Sequence, residues 1–157
     1  MISIRLDIKK ELGPLWREPE EVLRRAVSRA VKAAAERYTE MIHDWIDQGR
    51  AFTPRTGILQ QSISWRAEGK DKAVVFAEAE YAPFVEFGTK PHRIKAKYRR
   101  ALKIPVEGPE GFLFRKAAQH PGSRPYPFFF VDQAHREREA TEAAREAILE
   151  YIRELHK

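Results

Sequence analysis

The sequence predicts one α+β domain over residues 1–157: an antiparallel sheet packed on a long N-terminal helix, a protruding basic β-hairpin arm, and a C-terminal helix. Three observations support this fold class. Apolar residues alternate with polar ones at the N-terminus and again in the middle of the chain, which is typical of strands. Between these stretches they recur every three or four positions, as in a helix. Positive charge is concentrated after residue 88.

The core elements are expected in residues 1–87. Residues 1–8 alternate as a half-buried strand does. After a turn at Gly13-Pro14, in which Trp16 is expected to fill the core, Pro19 stands where the first residue of a helix is favoured. The helical period then continues to Gly49, which predicts an amphipathic helix of about thirty residues.

A hairpin and a short helical turn are expected next. One strand of the hairpin is centred on Trp65 and the other spans residues 73–79. Residues 81–87 are predicted to form a helical turn that ends at Gly88 in the left-handed conformation. Trp45 on the long helix and Trp65 are expected to lie on faces that pack together.

Residues 88–125 form the predicted basic arm. They carry ten basic and two acidic residues, a net charge of +8, while the rest of the chain carries −2. Residues 92–100 have no clear period and are predicted as a loop; residues 102–106 and 112–118 are predicted as the two strands of a second hairpin. Such an arm can contact nucleic-acid phosphate or an acidic neighbouring subunit, or simply be solvated. The basic residues are Lys90, Arg93, Lys95, Lys97, Arg99, Arg100, Lys103, Arg115, Lys116 and Arg124.

The C-terminal helix is expected within residues 126–157. The prolines and glycine of residues 120–125 argue against regular structure there, and Pro127 is predicted to open the helix. Its root and tip are apolar, whereas residues 135–142 are almost wholly polar. We therefore expect the tip to contact another part of the chain or another subunit, with a frayed terminus as the alternative.

No catalytic, metal or cofactor site is predicted. The chain has no cysteine, no glycine-rich nucleotide-binding motif and no apolar run long enough to span a membrane. His92 and His120 flank the arm and could converge, but a catalytic zinc normally needs three protein ligands. Glu86 is the only acidic residue in a markedly apolar context. We predict that it makes a structural hydrogen bond or a salt bridge between subunits.

An ordered set of motifs spans residues 56–134: T-G-x-L-x-x-S-I, Y-A-x-F-V-E-F-G-T, P-H-x-I, H-P-G and P-F. In this order they resemble the tail-component family of long-tailed bacteriophages, which includes head-tail joining, neck and tail-completion proteins similar in role to the minor tail protein Z of phage lambda. Arg55 and Tyr126 depart from the family pattern, in which an acidic residue and an arginine are common at these places. The residues that carry the resemblance are Thr56, Gly57, Leu59, Ser62, Tyr81, Glu86, Phe87, Gly88, Thr89, His92, His120, Pro121, Gly122, Pro127 and Phe128.

The resemblance implies a non-enzymatic structural protein of the virion, made in the bacterial host cytoplasm and located at the head-tail junction. It implies a homo-oligomeric ring, with a hexamer as one candidate, that joins capsid and tail and lets DNA pass. The implied partners are further copies of the chain, neighbouring connector and tail proteins, and passing DNA through non-specific contact. The residues alone leave two alternatives: a stand-alone nucleic-acid-binding protein, favoured by Tyr98 among arginines and lysines, and an enzyme using Glu86 or the histidines.

Overall fold

A computed structural model describes residues 1–7, 20–106 and 111–155. The predicted turn at Gly13-Pro14, with Trp16 and Pro19, and the predicted hairpin tip at residues 107–110 lie outside the described residues. The strands are β1 (Ile2–Asp7), β2 (Ile63–Ala67), β3 (Lys72–Ala77), β4 (His92–Lys95), β5 (Leu102–Pro105), β6 (Phe112–Arg115) and β7 (Ala117–His120). The helices are α1 (Glu20–Asp47), α2 (Ile58–Gln61), α3 (Ala82–Phe87) and α4 (Gln133–Leu155).

The main sheet is antiparallel in the order β1-β3-β2. Ile2 of β1 and Ile63 of β2 both stand opposite Ala77 of β3, and all three side chains are buried. The next row of the sheet, Ser3, Phe76 and Ser64, lies on the opposite face, because successive strand side chains alternate faces. The predicted α+β class, the N-terminal strand, the long helix and the first hairpin are thus confirmed.

Helices α1 and α4 pack against each other through small side chains. Ala30 and Ala34 of α1 and Ala140 and Ala144 of α4 are all buried, so the two backbones can approach closely. At the far end of α4, Tyr151 is buried beneath the Arg29 guanidinium of α1 at 4.5 Å from its ring centroid. The tip of the C-terminal helix therefore contacts another part of the same chain, one of the two contacts predicted for it. The polar middle of α4 also packs on α1, through the buried alanines named above.

Helix α4 begins at Gln133, so the prediction that Pro127 opens it is wrong. Asp132 has a positive φ of 55°, which breaks the backbone just before the helix. Its carbonyl accepts the first bonds of the helix, from the amides of His135 and Arg136. The amides of residues 128–130, before the helix, donate to the carboxylate of Glu86.

Residues 89–106 and 111–123 form a two-stranded antiparallel ribbon, here called the ribbon. Its first ladder pairs β4 with β7 and its second pairs β5 with β6. A loop over residues 92–100 is thus wrong for residues 92–95, and the absence of regular structure near His120 is wrong too, since β7 ends there. The alternation that marks a half-buried strand is missing from β4 because three of its four residues are exposed. The predicted strand over residues 112–118 is interrupted at Lys116.

The register of the ribbon shifts between its two ladders. Lys95 stands opposite Ala117, and the Ala96 amide extends this ladder to the Lys116 carbonyl. The next pair is Leu102 opposite Arg115, so residues 97–101 are extra on one strand and loop out as a bulge. The predicted pairing of residues 102–106 with 112–118 is thus observed in the second ladder, β5 with β6, whereas the first ladder was not predicted. The protrusion of this hairpin as an arm stays a prediction.

Candidate subunit interface

Glu86 holds the turn that precedes α4. Its carboxylate is only 4% exposed. Oε2 accepts hydrogen bonds from the amides of Phe128 (2.8 Å) and Phe129 (2.9 Å), and Oε1 accepts one from Phe130 (3.1 Å). The carboxylate thus supplies the acceptor for three consecutive amides of the turn after Pro127, and the positive φ of Asp132 interrupts the backbone before α4 begins at Gln133. Of the two roles predicted for Glu86, the structural hydrogen bond is confirmed.

Arg136 holds the same turn from its carbonyl side. Its Nη1 donates to the carbonyls of Phe128 and Phe129, both at 2.9 Å, and the residue is 2% exposed. Burial lowers the pKa of the Arg136 guanidinium, and burial raises the pKa of Tyr38 beside it to about 12. A carboxylate on the amide side and a guanidinium on the carbonyl side thus bind one turn, and link α3 to α4. We call this arrangement the Glu86–Arg136 clamp.

The root of the ribbon is a close crossing of two backbone segments. A Cβ on Gly88 would lie 2.5 Å from the Ser123 carbonyl oxygen, and one on Gly122 would lie 2.3 Å from that of Thr89. Thr89 and Ser123 exchange both backbone hydrogen bonds there, and their hydroxyls lie 3.1 Å apart. Gly88 has the predicted positive φ (71°), but its ψ of −177° is extended rather than left-handed helical. Only glycine readily adopts this conformation.

The ten predicted basic residues all lie on the ribbon or at its root, and all are exposed. Among the residues that the structure describes, none of the ten forms an ion pair. Three of them lie over neighbouring rings instead: Lys97 over Tyr98, Lys103 over Phe112 and Arg124 over Tyr126. The bulge is the most accessible part, since Tyr98 is 88% exposed. The ribbon therefore presents a cationic surface with aromatic side chains among the cations.

His92 and His120 converge as expected at the root. They stand opposite each other in the first ladder, and their rings stack with centroids 5.0 Å apart. His120 Nδ1 accepts from the Gly122 amide, and His92 Nδ1 lies 2.9 Å from the Lys90 carbonyl. Both histidines are thus engaged in the backbone of the crossing. In the described ranges, histidines and carboxylates form no group of three or more that could hold a metal.

An apolar surface lies next to this root, on α2 and α3. Its members are large side chains that stay exposed: Ile58, Tyr81, Phe84 and Phe87, between 42% and 63% accessible. We call it the α2–α3 surface. Tyr81 also lines a groove of about 280 Å³ with Phe52, Leu59 and Val85. Such exposed apolar clusters mark interaction sites more often than isolated apolar residues do.

The remaining motif residues shape the α2–α3 surface and the turn. Gly57 has a φ of 72° and lets the chain enter α2; Thr56 Oγ1 lies 3.5 Å from the Ile58 amide, at the limit for a cap. Leu59 is buried, and the Ser62 hydroxyl donates to its carbonyl at 2.7 Å. The two departures from the family pattern lie here too. Arg55 lines the groove, and the Tyr126 hydroxyl accepts from Arg124 Nε at 2.8 Å.

Sequence reasoning missed two parts of this region. Arg136 stands in a polar stretch, between His135 and Glu137, and only its place opposite the turn reveals its burial. The α2–α3 surface was missed because Phe84 and Phe87 look like core residues in sequence. Their spacing of three places both on one side of a single helical turn, which was the available signal. Trp45 lies near Arg50 and Arg136, whereas Trp65 packs on the core from β2.

The described parts of the chain thus present an exposed cationic ribbon and exposed apolar side chains on α2 and α3. No helix in those parts is long and apolar enough to cross a membrane. Residues 16–88 match the family described as "Bacteriophage HK97-gp10, putative tail-component". The matched segment is slightly less than half of the chain, and the ribbon and α4 lie beyond it. No curated protein and no solved structure gives a significant match.

Proposed function

We propose that this phage structural protein assembles as a homo-oligomeric ring at the head-tail junction, where it joins capsid to tail and lets DNA pass. The family match supports a structural role in the tail. The place at the head-tail junction and the ring are supported by the ribbon, whose exposed cations and aromatic side chains are attached to a closely packed root. The protein acts by shape and number of copies, not by catalysis.

A ring built from identical subunits uses heterologous contacts, in which one surface of each copy meets a different surface of the next. This chain offers two such surfaces. The ribbon is basic and partly apolar, and the α2–α3 surface is apolar. Both are fixed to the same turn through the Glu86–Arg136 clamp, so their relative position is defined within each subunit.

The bulge is the part of the ribbon best suited to passing DNA or to an acidic neighbour. Lys97, Arg99 and Arg100 surround Tyr98, and all four are exposed. A field from several cations attracts phosphate without reading base sequence, which a DNA conduit requires. A single Lys→Ala change in the ribbon should therefore have little effect.

The test reverses Lys95, Lys97, Arg99 and Arg100 to glutamate in the phage. We expect folded protein, because these side chains are exposed, but separate heads and tails by electron microscopy. A matched comparison pairs Arg99→Glu/Arg100→Glu, expected to lower the yield of joined particles, with Lys70→Glu/Arg138→Glu, which makes the same charge change elsewhere. Normal infectious yield from the quadruple variant would refute the junction role of the basic charge.

A stand-alone nucleic-acid-binding protein is the second candidate, favoured by the exposure of Tyr98 among cations. The two candidates differ in assembly and in salt dependence. A monomer whose DNA affinity falls steeply with salt supports the second candidate, because each phosphate contact releases counterions. A ring with negligible affinity for free DNA supports the first.

A further inference from the structure

We infer that the apolar end of the ribbon in one copy docks on the α2–α3 surface of the next copy. The inference rests on the proposed self-assembly and names the two surfaces that make the contact. The occupant of the α2–α3 surface is thus a second copy of this chain.

The end of the ribbon, β5 with β6, has an exposed aromatic face. Phe112 stands opposite Pro105 and Phe114 opposite Lys103, so these four side chains share one face of the ladder. Phe112 is 44% and Phe114 64% exposed. The Lys103 ammonium lies 3.6 Å from the centroid of the Phe112 ring, which brings a cation to the middle of the apolar face. An isolated two-stranded ribbon is only marginally stable in water, so a partner surface would stabilise it.

The α2–α3 surface has the size for side chains of this kind. Tyr81 lines the groove, whose 280 Å³ is slightly below the usual range of small-molecule pockets, whereas Phe84 lines a separate recess with Gly88 and Thr89 at the ribbon root. The groove is open, and its floor is the buried Leu59 of α2. It is therefore suited to one or two aromatic side chains entering from outside.

The α2–α3 surface carries two acidic residues beside the groove, in addition to Arg55, which lines it. Glu78 and Glu80 precede Tyr81, are exposed, and form no ion pair with another described residue. The Glu78 amide donates to the Ser62 carbonyl, which places this carboxylate at the end of α2. On the ribbon, Lys103 is an exposed cation on the aromatic face, whereas Arg115, opposite Leu102, lies on the other face. Docking would bring Lys103 to the glutamates while the aromatic side chains fill the groove.

The ribbon is long enough to reach a neighbouring subunit. Residues 112–123 lead from its end to its root and span about 36 Å when extended. A domain of 157 residues has a radius of gyration of about 15 Å and a diameter of about 39 Å. The ribbon can thus cross to the facing surface of an adjacent copy, whereas the bulge with Arg99 and Arg100 stays free for phosphate.

The test uses two complementary variants. The ribbon variant carries Phe112→Ser and Phe114→Ser, and the surface variant carries Ile58→Ser and Phe84→Ser. The control, Leu149→Ser with Leu155→Ser, removes two exposed apolar side chains from α4 instead. Circular dichroism verifies the fold of each variant, and light scattering with analytical ultracentrifugation measures the assembly.

We expect wild type and control to form the same oligomer and each double variant to be a monomer. A mixture of the two variants should give a 1:1 heterodimer, because the intact ribbon of one fits the intact surface of the other and no further contact can form. Because the chain contains no cysteine, Phe114→Cys and Phe84→Cys introduced into the two partners should cross-link in that heterodimer.

The outcomes separate the docking from the proposed ring. A ribbon variant that assembles like wild type overturns the docking but leaves the ring intact through other contacts. Monomeric variants that give no heterodimer on mixing also overturn it. A wild-type protein that stays monomeric at all concentrations overturns both the docking and the ring.

Discussion

Replacement of Glu86 by leucine tests the clamp that links α3, the ribbon root and α4. Leucine fits an apolar site of this size but accepts no hydrogen bond, so the amides of Phe128, Phe129 and Phe130 lose their acceptor. A buried polar group left unpaired costs about 1–3 kcal/mol, so the two fully buried amides alone cost about 2–6 kcal/mol. Loss of the carboxylate also removes a negative charge near the buried Arg136 guanidinium, which lowers the stability of the fold further.

The assay is thermal unfolding followed by circular dichroism at pH 7. In a domain of this size each kcal/mol lowers the melting temperature by about 2–4 °C, so we expect a fall of about 4–24 °C. Glu86→Gln keeps one acceptor oxygen and should lose less. The matched control is Glu80→Gln on the exposed side of the same loop, with an effect within about 0.5 kcal/mol. A Glu86→Leu protein that melts within 1 °C of wild type, about 0.25–0.5 kcal/mol on this scale, would refute the assigned role.

Three further predictions concern the ribbon root, the core and the helix pair. Gly122→Ala should speed amide exchange at the root at least tenfold, which corresponds to a loss of local stability on the order of 1.4 kcal/mol. The reason is that its Cβ would lie 2.3 Å from a backbone oxygen. The control is Gly49→Ala, because Gly49 also has a positive φ but has open space around it. Trp65→Ala should cost about 3 kcal/mol in chemical denaturation, the lower end of the range for large-to-small changes, because Trp65 is only half-buried, and an unchanged midpoint would place it in solvent. Arg37 of α1 donates a hydrogen bond to Glu139 of α4, which holds the pKa of Glu139 below its ordinary value of 4.5. This contact therefore contributes fully to the folding stability above pH 4.5, and its contribution is lost as the pH falls through the lower pKa of the folded state. Arg37→Gln should raise the pKa of Glu139 in an NMR titration.

The periodic part of the chain could be predicted from sequence because β1 and α1 alternate buried and exposed positions, although β3 between its two neighbouring strands is buried on both faces. Ile2 and Ile4 alternate with exposed or half-exposed polar residues, and α1 repeats its apolar positions over 28 residues. A pattern of this kind reports burial directly. The three-stranded sheet and the helix on it follow from such patterns.

The ribbon and the turn before α4 depend on partners far away in sequence. β4 pairs with residues 117–120 and buries no face, so its sequence carries no alternation. Pro127 has the features of a helix start, but the positive φ of Asp132 delays α4 to Gln133, and the amides after Pro127 bind Glu86, more than forty residues earlier. Glu86 itself was recognisable as a structural acid from its apolar neighbours, whereas its partners were not. Long-range hydrogen bonds of this kind leave no local signature.

The crossing of Gly88 and Gly122 bears on how many copies a ring contains. A closed ring of n identical subunits requires a rotation of 360° divided by n between one copy and the next. If the ribbon makes the contact, that rotation is the angle between the ribbon of a subunit and its own α2–α3 surface. Backbone oxygens packed against both glycines restrict this angle, since neither segment can tilt without a collision. The copy number would then be encoded in two residues that have no side chain, and a change of a few degrees at the root would turn a closed ring into an open helix.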